Sequence, residues 1–502
     1  PFAGASAGRA TAPRASLPPQ PRRARSGTAK LLPSLRAAVE ACELEDGATV
    51  SFHHHLRNGD AVLCAVMAEI AALGLRDIRL APSALFPVHA PLVEHIRNGV
   101  VTGIATAYMA GPVADAVARG WLATPAVLQT HGGRARAIES GALAIDAAFV
   151  AAPTADSEGN LNGAAGRSAC GPLGYPMVDV AHARRVVAIA DNLVPCPAAP
   201  LEISGEAVDY VVQVDSIGDA RQIVSGITRV TGEPAGLGIA AAAARAIEAS
   251  GLLEEGFSFQ TGAGGISLAV AAALGKVMAA RGVVGSFASG GITGPIVELF
   301  HAGLFRALFD VQCFDLEAVE SYRRDEAHRA ISASRYASPD NGHAVVERLD
   351  AVALGAAEVD LDFNVNVTLG ADGRIIGGSG GHSDTAAGAK LALVTTRLGA
   401  GAHPKIVERV ACVTTPGETI DAVVTEEGIA VNPRRPELRE RLAAAGLAPV
   451  SIEELRDKAE RRAGGVAGER RVARESRAGT ARIVAVAEYR DGTVIDVVEG
   501  VE

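Results

Sequence analysis

Four glycine-rich segments in the second half of the sequence could bind an anion or a carbonyl oxygen. They are FQTGAGGISLAV (259–270), FASGGITGPIVELF (287–300), IIGGSGGHSDTAAGAK (375–390) and VTEEGIAVN (424–432). Each follows a run typical of a β-strand, and glycines between a strand and a helix let the backbone approach a ligand closely. One such loop is common turn chemistry, but loops after parallel strands meet at one edge of a sheet. We therefore expect a shared site there.

These segments offer backbone amides and a few side chains as hydrogen-bond donors. Backbone N–H groups of residues 261–265 and 378–381 could stabilise an oxyanion, with the amide of Gln260 as a side-chain donor. His382 could orient a carboxylate or protonate a leaving group, or it could be a loop histidine bonded to backbone. Asp384 could also cap the helix that follows it. We predict catalytic roles for Gln260, Gly262, Gly264, Gly265 and His382, and substrate-binding roles for Gly378, Gly380, Gly381 and Asp384.

A second candidate group lies early in the chain, in SFHHHLRNGD (51–60). The strand-like run ends here at the start of a helix, a position that favours anions, and an arginine can hold a carboxylate in a bidentate fork. We therefore predict that His53, His54, Arg57 and Asn58 bind substrate. The three adjacent histidines could instead ligate a metal, but neighbours in an extended run point to opposite faces. We predict no metal site.

Three further basic residues in the first half are weaker candidates. Arg97, His131 and Arg134 lie in stretches that read as polar loops. We expect each of them to be solvated. Two other catalytic signatures are absent from the sequence, which contains no GxxxxGK[ST] and no HExxH motif, and this disfavours nucleotide-phosphate transfer and zinc-dependent proteolysis.

Composition limits the class of protein. The 502-residue chain is 48% hydrophobic and 21% charged, which is typical of a globular protein with more than one domain. Its net charge of −10 argues against a general nucleic-acid-binding surface. The six cysteines form no CxxC pair, so we expect reduced thiols. No apolar run reaches the roughly 18 uncharged residues of a membrane span. We predict a cytoplasmic protein without nucleic-acid or membrane partners.

Residues 1–30 differ from the rest of the chain. They are rich in Ala, Arg, Pro and Ser and contain no acidic residue. That composition suits an organelle transit peptide or a disordered tail. Because Pro18, Pro19 and Pro21 interrupt any amphipathic helix, we predict a disordered tail.

Beyond that tail, short β-branched runs alternate with Ala- and Leu-rich helical stretches, as in parallel α/β folds. We predict two related α/β domains, 31–226 and 227–502, each with a mainly parallel sheet covered by helices. The last residues, 481–498, read as a β-hairpin that turns at Asp491-Gly492. Two charged helices are predicted within 434–463. The predicted strands are 48–52, 77–81, 100–105, 147–151, 185–190, 210–214, 256–259, 351–354, 410–413 and 421–424, and the predicted helices include 60–73 and 266–280.

Several strings resemble a known family. The glycine-rich FQTGAGG (259–265), GGSGGHSD (377–384) and VTEEGIAVN are similar to the CoA-transferase superfamily. SFHHHLRNGD, HAPLVEHIRNGVV (89–101), PTADSEGNLNG (153–163) and AAEVDLDFNVNV (356–367) resemble the alpha subunits of citrate lyase within it. The resemblance extends from about residue 30 to about residue 500. It implies two CoA-transferase-like α/β domains.

The resemblance also implies a reaction and partners. An acetyl thioester on an acyl-carrier (gamma) subunit would react with citrate to give a citryl thioester and acetate, and a beta subunit would then cleave the citryl group. The thiol would belong to a phosphoribosyl-dephospho-CoA arm of the carrier, so this chain would bind no cofactor of its own and acetyl-CoA could act as a surrogate. A homo-oligomer within the complex is expected.

One departure from the superfamily pattern bears on mechanism. Many members carry a nucleophilic Glu in a slot that corresponds here to GITGPI (291–296), and no Glu stands there. Glu298 lies just beyond it, where we expect an exposed helix carboxylate. The gap implies direct attack by citrate in a ternary complex. Another CoA-transferase, a citramalate-specific enzyme, an acyl-CoA hydrolase and a non-catalytic ligand sensor on the same fold remain alternatives.

Overall fold

The computed structural model describes residues 29–53, 55–224, 229–464 and 482–501. His54 and nearly all of the predicted tail lie outside the described residues. In the described part of the chain, no helix is long and apolar enough to cross a membrane.

Strands and helices alternate in the first half, as predicted. Its strands are β1 (Leu31–Leu32), β2 (Thr49–Phe52), β3 (Ile78–Pro82), β4 (Val101–Thr106), β5 (Ala126–Leu128), β6 (Ala147–Ala152), β7 (Thr154–Asp156), β8 (Leu161–Asn162), β9 (Arg185–Ala190), β10 (Leu193–Val194) and β11 (Tyr210–Gln213). Its α-helices are α1 (Leu35–Ala41), α2 (Val62–Ala72), α3 (Leu92–Arg97), α4 (Pro112–Ala118), α5 (His131–Glu139) and α6 (Pro176–His182).

The second half repeats this alternation. Its strands are β12 (Ser258–Thr261), β13 (Gly285–Ile292), β14 (Phe305–Cys313), β15 (His328–Ala330), β16 (Ala351–Gly355), β17 (Glu358–Val359), β18 (Val365–Asn366), β19 (Leu391–Thr395), β20 (Gly399–Ala400), β21 (His403–Pro404), β22 (Ala422–Thr425), β23 (Gly428–Val431), β24 (Ile483–Glu488) and β25 (Val494–Glu499). Its α-helices are α7 (Pro234–Ala249), α8 (Gly265–Arg281), α9 (Gly294–His301), α10 (Leu316–Arg324), α11 (Ala333–Ala337), α12 (His382–Gly388), α13 (Pro436–Ala444) and α14 (Ile452–Arg462).

Two large sheets organise the molecule. The first has the order β1-β11-β9-β6-β2-β3-β4-β5-β24-β25, and the second has the order β15-β14-β13-β12-β16-β19-β22-β23. Pairing is parallel throughout except for the β22–β23 and β24–β25 hairpins. Central strands such as β6 are buried over their whole length because helices cover both faces of a parallel sheet.

The C-terminal hairpin belongs to the sheet of the first half. Its strand β24 pairs in parallel with β5, so that Val486 lies beside Val127. The hairpin itself and its turn, in which Gly492 has a φ of 88°, are confirmed. The sequence analysis grouped this segment with the second domain, and the structure differs because β5 offers it an edge. The domain boundary near residue 226 stays a prediction.

Most of the other predicted elements are confirmed within two or three residues, including α8 and the pair of charged helices α13 and α14. The strand predicted at 410–413 is wrong. Its backbone N–H groups donate to side-chain carboxylates instead of to a neighbouring strand. The bonds run from Val410 to Asp360, from Ala411 to Glu358, and from Val413 to Asp496.

Candidate active site

Buried polar and aromatic side chains from both halves meet beside the glycine-rich loops. We call this group the interface cluster. Tyr175 is close to residues of both halves. Its ring lies against histidines of the first half, and burial together with Tyr336 of the second half raises its pKa. The cluster consists of His55, Arg57, His131, Tyr175, Gln260 and Tyr336.

Arg57 is the cation of the interface cluster and is only 7% exposed. Its guanidinium lies 4.6 Å from the ring centroid of Phe314 and 5.3 Å from that of Phe86, so it rests on two aromatic faces from opposite halves. Burial lowers the pKa of Arg57 to about 10, which still leaves it charged at neutral pH. Its φ of 53° lies in the left-handed region that non-glycine residues rarely adopt. The backbone is therefore strained at the residue that supplies this cation.

Two imidazole rings lie against the ring of Tyr175. The His131 centroid is 4.7 Å from that of Tyr175, and the His55 centroid is 6.4 Å from it. His55 is 3% exposed and His131 is partly buried. Burial, helped by His53, lowers the pKa of His55 to about 3, and burial with Arg134 lowers that of His131 to about 3. Both rings are therefore neutral at pH 7.

Gln260 lies near the end of β12 and is buried. Its amide nitrogen donates to the Tyr336 hydroxyl over 2.8 Å, while its Oε1 is buried with no hydrogen-bond partner among the described residues. A Cβ at Gly290 would come within 2.7 Å of this side chain, and a Cβ at Gly381 would collide with the Tyr336 hydroxyl. Glycines are therefore needed where the loops approach this pair.

The loop after β12 leads into the N-terminus of α8. Gly262 donates its N–H to Ala353 O over 2.7 Å, so that amide is already used. Gly264 is the N-cap residue, and no side chain caps the helix. Because the first N–H groups of an α-helix have no partner inside it, Gly265 and the next residues present open donors and the positive end of the helix dipole.

The loop at 377–381 is bound to the first half by its backbone. Gly380 donates its N–H to Ala107 O over 3.0 Å and accepts at its own oxygen from His131 N–H over 2.8 Å. A Cβ at Gly378 would lie 2.5 Å from Ala107 O. The expected strand before this loop is absent, since it follows a turn near Gly373. The loop thus fixes the two halves relative to each other.

Asp384 strengthens the same connection. It is fully buried and accepts from the Thr130 hydroxyl over 2.8 Å and from Gly132 N–H over 2.9 Å, at the start of α5 in the first half. Burial raises the pKa of Asp384 to about 6, although Arg490 and these two donors oppose the rise. Asp384 therefore caps a helix in the opposite half, a role that its own sequence neighbourhood does not indicate.

His382 is bonded at both ring nitrogens. Its Nε2 lies 2.9 Å from Gly355 O, which only accepts, so Nε2 carries the proton. Its Nδ1 then accepts from the Thr415 hydroxyl over 2.8 Å. Burial lowers the pKa of His382 to about 4. This geometry favours the alternative of a bonded loop histidine over an acid that donates to a leaving group.

Two other described members of SFHHHLRNGD, His53 and Asn58, bond to residues outside the interface cluster. His53 Nε2 lies 3.2 Å from Asp179 Oδ2, and Arg134 holds the same carboxylate with two hydrogen bonds. Burial alone would raise the pKa of Asp179, but Arg134 and His53 bring it below its usual value. Asn58 accepts from Val88 N–H over 3.1 Å. Arg134 is only 2% exposed, so the expectation that it is solvated is wrong.

The fourth glycine-rich segment serves a different place. It forms the β22–β23 hairpin, whose turn lines a cavity of about 410 Å³ together with α7. Glu426 in this turn pairs with Arg397 and Arg462. Among the described contacts it does not touch the interface cluster, so three loops and not four supply the site.

Three buried side chains outside the interface cluster have the chemistry of metal ligands. The candidate atoms of Asp310, Cys313 and His328 lie within 4.8 Å of one another. His328 Nε2 and the Cys313 thiol each lie 3.1 Å from Asp310 Oδ2, and Ser321 Oγ lies 3.0 Å from the other ring nitrogen. The group is thus bonded within the protein without an ion. The absence of a metal site stays a prediction.

The segment 291–296, for which the family resemblance implied a glutamate in other members, is formed by the end of β13 and the start of α9. Thr293 is the N-cap residue of α9, and its hydroxyl is buried without a partner among the described residues. Glu298 is exposed on the same helix, as expected. Gly291 packs against Phe314, the ring beneath Arg57, which brings this segment beside the interface cluster.

Sequence reasoning identified Arg57 and Gln260 but missed Tyr175 and Tyr336. Single tyrosines with no spacing pattern give no signal, and only the fold brings them together. His55 was not among the predicted residues. It belongs to the same run of histidines, but the sequence alone does not show which ring of that run lies in the interface cluster. His131 was ranked low because its sequence reads as a polar loop.

The fold defines the class of protein. The structure is similar to that of 4-hydroxybutyrate CoA-transferase from Porphyromonas gingivalis, with a TM-score of 0.55 and 17% identity over 86% of this chain and 98% of that chain. At this identity the likeness concerns the fold alone. It confirms the predicted α/β, CoA-transferase-like architecture.

Sequence comparison is more specific. The family described as "Citrate lyase, alpha subunit (CitF)" matches residues 28–501. The citrate lyase alpha chain of Escherichia coli (strain K12) is 47% identical over 473 residues, 94% of this chain and 91% of that protein. The putative alpha subunit of citrate lyase from Streptococcus mutans, solved in complex with citrate, is 45% identical with a TM-score of 0.90 over 96% and 93% of the two chains. The chain belongs to the citrate lyase alpha-subunit family and is a CoA-transferase-type subunit of that multi-subunit enzyme.

Proposed function

We propose that this chain exchanges the acetyl group of an acyl-carrier thioester for a citryl group and releases acetate. The observation that carries the proposal is the interface cluster. There the buried cation Arg57 of the first half rests on Phe314 of the second, beside Gly291, and the neighbouring Gly290 packs against Gln260. A carboxylate substrate requires a cation such as Arg57, and a thioester carbonyl requires donors such as the Gln260 amide.

The exchange requires two acyl transfers and no net proton. A carboxylate oxygen of citrate attacks the thioester carbonyl, the thiolate leaves, and a mixed acetyl–citryl anhydride forms. The thiolate then attacks the citryl carbonyl of that anhydride, and acetate leaves with the bridging oxygen that came from citrate. Each step passes through an oxyanion, so the site must supply hydrogen-bond donors.

The described geometry supports a role for each predicted group. Arg57 would hold a carboxylate of citrate. Gln260 has a second amide N–H that Tyr336 does not use and that could donate to an oxyanion. Gly264 and Gly265 would donate from the open N-terminus of α8, which also favours negative charge. His382 needs no part in proton transfer, which agrees with its two hydrogen bonds.

We propose direct attack by citrate, without an enzyme thioester. No residue of 291–296 is itself a carboxylate, and Glu298 is exposed to solvent on α9. The Asp315 carboxylate accepts from Gly294 N–H over 2.7 Å and from Ala318 N–H over 2.8 Å, so it is held by the backbone. Thr293, with its unpaired hydroxyl in this segment, is in position to bind the attacking carboxylate of citrate.

The partners follow from the family. We propose that the acyl donor is the thioester of a phosphoribosyl-dephospho-CoA arm on the gamma subunit. The beta subunit would cleave the citryl thioester. The second amide N–H of Gln260 and the uncapped α8 are the features of this chain that fit such an incoming thioester. Assembly as a homo-oligomer within a cytoplasmic complex is part of the same proposal.

The test uses acetyl-CoA as a surrogate donor, with citrate or citramalate as acceptor and no other subunit. Mass spectrometry should detect citryl-CoA and acetate and no CoA adduct on the protein. Arg57→Met should lower kcat/KM for citrate about 100-fold, because a buried charged contact is typically worth 2–5 kcal/mol. The matched control is Arg97→Met, whose guanidinium lies over the half-exposed ring of Trp121.

Other outcomes would identify the alternatives. Acetate release without citryl-CoA would indicate an acyl-CoA hydrolase, and preference for citramalate would indicate a citramalate-specific transferase. A CoA adduct would contradict direct attack. Absence of any transfer, also with the acylated carrier subunit, would favour a ligand sensor.

A further inference from the structure

We propose that His55 and His131, which both lie against Tyr175, donate ring N–H groups to the carboxylates of citrate. The inference rests on the proposed function, because citrate is the ligand. It adds two recognition residues beyond Arg57.

The first argument is the set of polar atoms left without partners. Neither ring nitrogen of the buried His55 has a hydrogen-bond partner among the described residues, and the same holds for His131 Nδ1. Buried polar atoms in folded proteins are nearly always bonded, so unpaired ones on adjacent rings require an explanation such as a ligand. Both rings lie against Tyr175, which places these nitrogens in one region of the interface cluster.

The second argument is a comparison within the protein. Three other histidines that are buried or partly buried, His89, His328 and His382, have partners at both ring nitrogens. His53 is intermediate, because its Nε2 lies 3.2 Å from Asp179 Oδ2 while its Nδ1 is buried without a partner among the described residues. His55 has no such contact at either ring nitrogen among those residues.

The charges near the two rings are mixed. Arg134 acts on His131 and His53 acts on His55, whereas Arg57, Asp384 and Asp310 act on Tyr175. The carboxylate of Asp179 is already held by Arg134 and His53. Both rings are neutral at pH 7, so each has one N–H donor, and a carboxylate can accept from it without a change of protonation.

The experiment is isothermal titration of the full chain with citrate at pH 7.5, without an acyl donor, in buffers of different ionisation enthalpy. The dependence of the measured heat on the buffer gives the number of protons taken up. We expect none, because a nearby anion raises the pKa of an imidazole by about 1–3 and both rings have a pKa of about 3. His55→Leu and His131→Leu should each bind citrate about tenfold more weakly, the loss typical of a hydrogen bond to a charged group. The exposed His343→Leu is the control.

Two results would overturn the inference. One is that both variants, folded by circular dichroism, bind citrate within twofold of the unmodified chain. The other is citrate binding by the unmodified chain with uptake of one or more protons, which would mean charged rings in place of neutral N–H donors and does not depend on any variant folding. Failure of the unmodified chain to bind citrate at all would instead overturn the proposed function. The two failures are therefore distinguishable.

Discussion

The two glycine-rich loops nearest the interface cluster use their backbone groups in different ways. The loop at 262–265 ends in the uncapped N-terminus of α8, so its last amides are open to a ligand. The loop at 377–381 uses its backbone groups to bond to the first half. Gly380 donates its N–H to Ala107 O and accepts at its own oxygen from His131 N–H. We propose that the first loop takes part in the chemistry and that the second holds the two halves together.

A glycine-rich sequence alone therefore does not show whether its backbone amides are open to a ligand or bonded to another part of the protein. Both loops were predicted to stabilise oxyanions, because both allow a close approach to the backbone. What separates them is the neighbour that the fold supplies. An open helix end leaves amides available, whereas a facing carbonyl such as that of Ala107 removes them. Four variants should distinguish the two loops, and the largest effect is expected for the first of them.

Gln260→Leu should damage catalysis with little damage to the fold. Loss of an oxyanion donor typically costs about 3 kcal/mol in the barrier, so kcat for acetyl-CoA and citrate should fall at least about 100-fold. Steady-state kinetics tests this, with Gln213→Leu on the exposed side of β11 as control. A Gln260→Leu variant with kcat near that of the control would remove the chemical role from the first loop.

Gly378→Ala should damage stability, because its Cβ would lie 2.5 Å from Ala107 O. Overpacking of this kind costs about 2 kcal/mol, which urea unfolding can measure. The matched control is Gly264→Ala, whose Cβ would have no neighbour closer than 3.7 Å and whose φ of −75° suits alanine. Equal stability of the two variants would contradict the division between the loops.

Asp384→Asn should weaken the same connection. An amide can accept one of the bonds from Thr130 and Gly132 but not both, so we expect a loss of about 1–2 kcal/mol in the free energy of unfolding. The exposed Asp340→Asn is the control for a simple loss of charge. If the two variants are equally stable, Asp384 does not hold α5 to the second half.

His382 should give the second loop a pH dependence. Its pKa is about 4 in the folded protein and 6.5 otherwise, so its contribution to stability is present above about 6.5 and is lost as the pH falls toward 4. Between pH 7 and pH 5 the unmodified chain should lose about 1 kcal/mol more than His382→Gln, with the ring only partly buried. Parallel urea curves at both pH values test this, and identical losses in the two proteins would mean that His382 is not held neutral.

Much of the fold could be predicted because hydrophobic periodicity and glycine turns are local signals. Helix α8 and the C-terminal hairpin are examples. The site was predicted only where a residue type carries its own chemistry, as with Arg57 and Gln260. Tyr175 and Tyr336 were missed because they come from distant segments. The error at 410–413 has a similar cause, since buried residues such as Val410 resemble a strand while distant carboxylates satisfy their amides.

The central claim is that a citrate carboxylate attacks the acetyl thioester directly. The most direct test is a single turnover with the chain in excess over acetyl-CoA, and with citrate labelled with ¹⁸O in its carboxylates. Direct attack predicts that the first acetate released carries one ¹⁸O atom, transferred through the mixed anhydride. Acetate without the label in that first turnover would show that an oxygen of the enzyme or of water attacked first, and would contradict the account.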